Sequence, residues 1–235
     1  MRYHCVCRAW FVALTLISEF TGLPVMLGAQ VTPAAGGYLF RHRLRAGQTG
    51  KFSVTVTSSS RAMAAPVVTN IPITVRVVSM AANTAKVSVM VEPMTRFGRT
   101  QGKPSTTEIE VDFGGPKGKN SMMTYMEYGD LYMPFLPKPI RVGQSFPIDR
   151  AGEWPVLGRV DVSARYTFSG FTTLAGKKAA RFAMTATKRA RVDSTITGTI
   201  LISTDDGSTL NVDQTATVKM PSGDIVTQQL TARRQ

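Results

Sequence analysis

The chain has 235 residues, which is long enough for one ordinary hydrophobic core or two small coupled ones, and its formal net charge is +13. Its positive charge predicts an anionic binding partner, and the alternative is that the charge only keeps the protein soluble. The two cysteines, Cys5 and Cys7, lie close to the N-terminus. If that segment is removed, the rest of the chain cannot form a disulfide, a thiolate zinc site or a cysteine nucleophile.

The first 29 residues have the layout of a secretory signal peptide. Arg2 and Arg8 precede a mainly apolar run over 9–17, and small residues follow at Gly28-Ala29. Glu19 interrupts the apolar stretch, which is too short for the roughly 20 apolar residues of a membrane span. We therefore expect cleavage near Ala29 and a secreted or periplasmic protein that keeps most of the positive charge. A retained membrane anchor is the alternative.

From residue 30 onward, the chain shows the period-two alternation of strands with one buried face and one solvated face. Turn signals separate the runs, of which Asp206-Gly207 is the strongest because both residues tolerate positive φ. We predict an all-β fold, an antiparallel sheet of about ten strands joined mostly by hairpins, with at most a short helix. The predicted inward residues are Phe52, Val54, Val56, Ile71, Ile73, Val75, Val77, Val87, Val89, Val91, Ile109, Val111, Phe113, Val160, Val162, Ala164, Tyr166 and Phe168.

Two stretches of the chain are similar to each other. RAGQTGKFSV begins at Arg45 and RVGQSFPI begins at Arg141, which places Gly47 and Gly143 96 residues apart. A second similarity, SMAANTAKVSVM with TLAGKKAARFAM, follows each of them at nearly the same separation. We interpret the chain as two related β-meanders, with coincidence among strands rich in Thr, Val and Ala as the alternative.

The predicted organisation is a signal peptide over 1–29 and a single β-domain over 30–235. The domain would consist of two meander halves, 38–130 and 140–231. The stretch between them contains Pro134, Pro137 and Pro139, and proline favours extended chain without ladder hydrogen bonds. We expect this stretch to be a crossover that runs over one side of the sheet.

No catalytic or metal site is predicted. His42 stands between Arg41 and Arg43, and we expect it to be a surface residue rather than a catalytic base. Asp205-Asp206-Gly207 is interpreted as a turn and not as a calcium loop, because further acidic ligands are missing. The alternating acids Glu108, Glu110 and Asp112 are typical of a solvated strand face, although paired carboxylates can also serve glycosidases. No cofactor is predicted, and the chain is not expected to be an enzyme.

Two groups of residues are candidates for binding. The stretch SMMTYMEYGDLYMPF is rich in Met and Tyr, which suit an adaptable apolar surface, although ordinary core where the crossover packs on the sheet is the favoured interpretation. Its candidate ligand-binding residues are Met122, Met123, Tyr125, Met126, Tyr128, Tyr132, Met133 and Phe135. The stretches KKAARF and TKRARV supply candidate anion-binding residues, with nucleic acid as a less favoured partner because only one aromatic residue is interleaved. These residues are Lys177, Lys178, Arg181, Lys188, Arg189 and Arg191.

The series of motifs GQTGKFSV, SMAANTAKVSV, PKPIRVGQSF, LAGKKAARF and GTILISTDDGSTL resembles exported bacterial β-proteins of unknown function. Those proteins are similar to the curved-sheet fold of the lipoprotein carriers LolA and LolB. The resemblance covers most of residues 38–231 and implies a strongly curved antiparallel sheet or half-barrel with an apolar concave face. It departs from the family pattern at SFPID, where an aromatic residue is expected, and it implies no catalytic residue.

Together these features predict an exported, non-catalytic protein. It would bind an apolar or amphipathic molecule, such as a lipid or a lipid-bearing partner, on the concave face of the sheet. An anionic membrane surface is a further expected partner. The alternative is a structural or interaction protein of the cell envelope that binds anionic polymers through its basic surface.

Overall fold

The computed structural model describes residues 31–81, 84–112, 114–117, 133–154 and 158–235. All regular secondary structure in these ranges is β. The strands are β1 (Val31–Ala34), β2 (Gly37–Phe40), β3 (Thr49–Ser60), β4 (Val67–Met80), β5 (Thr84–Val91), β6 (Met94–Arg96), β7 (Arg99–Gln101), β8 (Ser105–Asp112), β9 (Gly115–Lys117), β10 (Ser145–Trp154), β11 (Gly158–Leu174), β12 (Lys177–Arg189), β13 (Ser194–Ser203), β14 (Thr209–Lys219) and β15 (Ile225–Arg234).

Thirteen of the described strands form one antiparallel sheet, and β1 and β2 form a separate hairpin. The order across the sheet is β10-β11-β12-β13-β14-β15-β3-β4-β5-β8-β9, with β6 beside the start of β4 and β7 beside β6. The C-terminal strand β15 pairs with β3, so that Leu230 lies opposite Val56. The predicted all-β, curved antiparallel sheet is confirmed, and it has more strands than the ten or so expected.

One face of the sheet carries the hydrophobic core, and we call it the inner face. The alternation predicted it correctly: Val54, Ile73, Val87 and Tyr166 are at most 1% exposed, and the other predicted inward residues in the described ranges are buried or half-buried. Phe113 lies outside the described residues. The opposite, outer face is polar, and Glu108 and Glu110 are exposed there, as is typical of a solvated strand face.

The strands share two ends. One end, the Gly-Gln end, carries the turns at 45–48, 141–144, 175–176 and 204–208. The other, the far end, carries the turns at 61–66, 97–98, 190–193 and 220–224. Long hairpins therefore run from one end to the other, and their turns lie side by side along each rim.

The first Gly-Gln motif forms a closed turn before β3. The backbone N–H of Arg45 donates to Oε1 of Gln48 at 3.0 Å, and the N–H of Gln48 donates back to the carbonyl of Arg45 at 3.0 Å. Gly47 has φ of 78°, a left-handed conformation that favours glycine. Its N–H donates to the carbonyl of Val77 in β4 at 2.9 Å, which ties the turn to the sheet.

The second Gly-Gln motif repeats this geometry before β10. Arg141 and Gln144 exchange the same two hydrogen bonds, each at 3.0 Å, and Gly143 has φ of 81°. The N–H of Gly143 donates to the carbonyl of Phe168 in β11 at 2.7 Å. A register shift lies beside each turn. The pairing of β4 with β5 shifts between Val77 and Ser79, and the pairing of β11 with β12 shifts between Phe168 and Gly170. The two similar sequences therefore form the same local structure. The relation between the two halves of the chain stays a prediction.

Asp206 connects the Gly-Gln end to the last strand. Its carboxylate accepts hydrogen bonds from the N–H of Ser208 at 3.0 Å, from Nε2 of Gln48 at 3.4 Å and from Nη1 of Arg234 at 3.2 Å. Its carbonyl accepts from the N–H of Arg43 at 3.0 Å. Burial alone would raise the pKa of Asp206, but the hydrogen bonds from Ser208 and the charge of Arg234 outweigh it and lower that pKa.

The described part of the predicted crossover, 133–140, lies over the inner face. Tyr38 of β2 and Ile140 exchange two backbone hydrogen bonds of 2.9 Å, and Phe135 donates its N–H to the carbonyl of Gly114 at 2.6 Å. The crossover and the β1–β2 hairpin therefore cover the same side of the sheet. This cover divides the inner face into two regions.

Candidate functional site

The region nearer the Gly-Gln end is filled by the chain itself. The ring of Phe40 lies 5.7 Å from that of Phe135, 5.0 Å from that of Phe168 and 5.1 Å from that of Phe182, measured between centroids. All four rings are at most 5% exposed. We call Phe40, His42, Met133 and Phe135 the aromatic plug, because they close this part of the inner face.

His42 belongs to this plug, so the prediction of a surface histidine is wrong. Its side chain is 1% exposed, its ring centroid lies 4.7 Å from that of Phe135, and Nε2 donates to the carbonyl of Met133 at 2.8 Å. Burial lowers the pKa of His42 to about 4, so the ring is neutral at physiological pH. The neighbouring arginines obscured a period-two signal, since His42 follows the buried Phe40 by two residues in an extended chain.

The predicted Met/Tyr ligand surface is described only at its end. Met133 and Phe135 are 0% and 5% exposed, and both pack in the aromatic plug as core residues. The other candidates, Met122, Met123, Tyr125, Met126, Tyr128 and Tyr132, lie outside the described residues. A ligand surface made by this stretch therefore stays a prediction.

The six predicted anion-binding residues do not form one patch. Lys177 and Lys178 begin β12 at the Gly-Gln end, whereas Lys188 and Arg189 end it at the far end, a separation of roughly 35 Å at 3.3 Å per residue. Arg181 and Arg189 are exposed on the outer face, and Arg191 is exposed in the next turn. The side chain of Lys188 lies on the inner face instead, because it continues the inward series of Phe182, Met184 and Ala186.

The inner face has a second cation close to Lys188. Arg150 follows the inward residues Phe146 and Ile148 of β10. It lies opposite Val162, which in turn lies opposite Lys188. Two strand spacings place their backbones roughly 10 Å apart. Both side chains are half-buried, and burial lowers the pKa of Lys188. The sequence contained a signal that could have found this pair, because each cation follows apolar residues at a spacing of two, Phe146 and Ile148 before Arg150 and Met184 and Ala186 before Lys188.

A largely half-buried area extends across the sheet from Lys188 towards β3, and its apolar side chains are interleaved with the polar side chains of Ser194, Gln214 and Gln228. We call it the inner shelf, and register joins its members: Ile196 lies opposite Ala216, Val218 opposite Val226, and Leu230 opposite Val56. All of them are partly exposed, unlike the plugged region. Lys188 shares one row with Val218 and Val226, the latter three strands away at roughly 14 Å. The members of the inner shelf are Val56, Ile196, Ala216, Val218, Val226 and Leu230.

The cations and the inner shelf together suit one kind of ligand. Lys and Arg offer charge-assisted hydrogen bonds to a carboxylate or phosphate, and the shelf offers apolar area to a chain. In the described ranges, no three His, Cys, Asp or Glu side chains come together in a way that could hold a metal ion. Likewise, none of the described residues belongs to a helix that is long and apolar enough to cross a membrane.

The chain matches no protein-family model and no curated protein. Among solved structures it is similar to a protein described as exported, with a YmcC-like fold, from Bacteroides fragilis, at 12% identity and a TM-score of 0.45, covering 84% of this chain and 99% of that one. It is also similar to DynF of the dynemicin biosynthesis pathway of Micromonospora chersina, at 12% identity and a TM-score of 0.22, covering 91% and 92%. A third is a hot-dog-fold protein of unknown function from Alicyclobacillus acidocaldarius, at 12% identity and a TM-score of 0.16, covering 83% and 81%. At these values none of the three assigns a family or a function, and the resemblance to the lipoprotein carriers stays a prediction.

Proposed function

We propose that this chain is an exported, non-catalytic protein that binds a single-chain amphiphile with an anionic head group on its inner face. The head group contacts Arg150 and Lys188, and the apolar chain lies along the inner shelf. The observation that carries the proposal is the position of these two cations, which face inwards on either side of Val162 at the edge of an apolar surface.

The division of the inner face supports this location. The aromatic plug fills the inner face near the Gly-Gln end, since its rings are at most 5% exposed. The six residues of the inner shelf are apolar and half-buried, and each methylene that is moved from water onto apolar surface contributes about 0.8 kcal/mol. A charge-assisted hydrogen bond adds about 1.5–3 kcal/mol, so the cations favour an anionic head group over a neutral one.

Native mass spectrometry with lysophosphatidylglycerol tests the proposal, with zwitterionic lysophosphatidylcholine as the matched lipid. We expect one bound lysophosphatidylglycerol per chain and about tenfold weaker binding for Lys188→Gln and for Arg150→Gln. Arg189→Gln is the control, because it removes the same charge from the adjacent residue on the outer face. Equal affinity for both lipids, or equal loss in Lys188→Gln and Arg189→Gln, would contradict the proposal.

The second candidate is an envelope protein that binds anionic polymers through its basic outer surface. The exposure of Lys177, Lys178, Arg181, Arg189 and Arg191 favours it. In that case a soluble polyanion such as polyglutamate binds the chain, and Arg189→Gln and Arg191→Gln weaken binding while Lys188→Gln does not. Because these residues are spread over roughly 35 Å, each substitution should have a small effect.

A further inference from the structure

We infer that the far end of the sheet docks on an anionic membrane surface through the tip of the β6–β7 hairpin. The tip is the sequence Arg96-Phe97-Gly98-Arg99, in which a two-residue turn joins β6 to β7. Phe97 is 68% exposed and inserts among the lipid head groups, while Arg96 and Arg99 contact the phosphates. This device is separate from the inner shelf, and it does not depend on the proposed ligand.

The backbone of the tip is the first argument. Phe97 has φ of 52° and Gly98 has φ of 69°, so both central residues are left-handed, as a type I′ turn requires. Asn or Asp normally occupies the first of these positions, and a bulky side chain there costs conformational energy. A phenylalanine at this place opposes the local preference, and most of its side chain is exposed to solvent. Neither folding nor turn formation explains it.

The position of the tip is the second argument. β6 pairs with β4 only at Thr69 and Asn70, and β7 pairs with β6 alone, so the hairpin is an arm that extends from the sheet. It runs antiparallel to β4, which directs Phe97 towards the far end. Along that same rim, Met63 is 37% exposed in the β3–β4 turn and Ile225 is 53% exposed at the start of β15. Three apolar side chains therefore lie on one rim.

Charge is the third argument, and it selects the partner. The segment 94–104 contains Arg96, Arg99 and Lys103 and no acidic residue. The guanidinium of Arg96 lies 5.2 Å from the ring centroid of Phe97, so a cation accompanies the ring at the surface. Arg61, Arg189, Arg191 and Lys219 are exposed along the same rim, where Asp193 and Asp224 are the acids of the neighbouring turns. Exposed apolar side chains among cations fit an anionic lipid surface, which offers phosphates beside an apolar interior.

Cosedimentation of the purified protein with vesicles tests the inference. We expect binding to vesicles of phosphatidylglycerol and phosphatidylcholine, and little binding to phosphatidylcholine alone. Phe97→Asn should reduce partitioning about tenfold, since it removes the aromatic side chain that inserts into the membrane. Asn is well suited to the left-handed position, so the variant should fold at least as well as the parent protein. Phe97→Trp should retain binding, because Trp favours the membrane interface.

Two further variants sharpen the test. Arg96→Gln and Arg99→Gln should each reduce binding to anionic vesicles about fivefold. Val142→Asn is the matched control, since Val142 is 57% exposed in a turn at the Gly-Gln end, and it should bind like the parent protein. Unchanged binding of Phe97→Asn, an equal loss in Val142→Asn, or equal binding to both kinds of vesicle would overturn the inference. Because Phe97 and Val142 lie in turns outside the proposed ligand site, uptake of lysophosphatidylglycerol should be the same in all of these variants.

Discussion

The two ends of the sheet are formed by the same long hairpins, yet the inner face is filled differently at each. At the Gly-Gln end, two matching turns are hydrogen-bonded to the sheet, Asp206 joins three segments of the chain, and the aromatic plug fills the inner face. At the far end, the inner face carries half-buried cations and apolar residues. Both rims expose apolar side chains, Met80, Val142 and Leu174 at the Gly-Gln end and Met63, Phe97 and Ile225 at the far end, of which Phe97 is the most exposed.

This difference indicates how stability and binding are divided in a single sheet. Closely packed rings and satisfied buried polar groups contribute most to the free energy of unfolding, and they leave no surface for a partner. Exposed apolar and cationic groups contribute little to stability and are available for recognition. We therefore expect substitutions at the Gly-Gln end to change stability, and substitutions at the far end to change binding.

The largest effect on stability is expected for Phe40→Ala. Phe40 is 1% exposed and contacts three other rings, so its removal should lower the free energy of unfolding by about 3–5 kcal/mol. Phe97→Ala removes the same side chain from the far end and should change it by less than about 0.5 kcal/mol. Urea unfolding of both variants measures the contrast. Similar losses in the two variants would refute the division between the ends.

Acidification should destabilise the protein through His42. Its pKa is about 4 when folded and about 6.5 when exposed, so the unfolded chain binds the proton more readily. The contribution of neutral His42 is complete above pH 6.5 and is lost as the pH falls towards 4, by up to about 3 kcal/mol. Urea unfolding between pH 7 and 4 measures this slope, which His42→Gln should reduce. An identical slope in the variant would show that other groups are responsible.

A smaller effect is expected for Asp206→Asn. The substitution weakens the contact with Arg234 and the hydrogen bonds from Ser208 and Gln48, at a cost of about 2 kcal/mol at neutral pH. The pKa of Asp206 in the folded protein lies below the ordinary pKa of an aspartate. Its contribution to stability is therefore present above that ordinary pKa and is lost only as the pH falls below it. Asp205→Asn, at the exposed neighbouring position, should cost less than about 0.5 kcal/mol. Thermal unfolding at pH 7 distinguishes them, and equal midpoints would contradict the role of Asp206.

Much of the fold could be predicted because a strand's side chains alternate strictly. Series such as Val160, Val162, Ala164 and Tyr166 specify their inward face locally, without knowledge of the neighbouring strand. The turns at Gly47 and Gly143 could also be recognised, since their hydrogen bonds close within four residues. The site was less predictable. The basic residues of KKAARF and TKRARV were predicted to form one anion-binding group. They lie at opposite ends of the extended strand β12, which separates them by its full length.

The sequence by itself determined the class of fold, the buried face of each strand and the position of most turns, because these depend on periodicity and on local backbone chemistry. Only the tertiary structure decided which strands are neighbours and what covers the inner face. The pairing of β15 with β3 unites the inner shelf, and the pairing of β10, β11 and β12 brings Arg150 to Lys188. His42 became a core residue for the same reason, since its burial comes from the packing of a distant segment, 133–135, against it. Such contacts join residues far apart in the chain, and no local pattern encodes them.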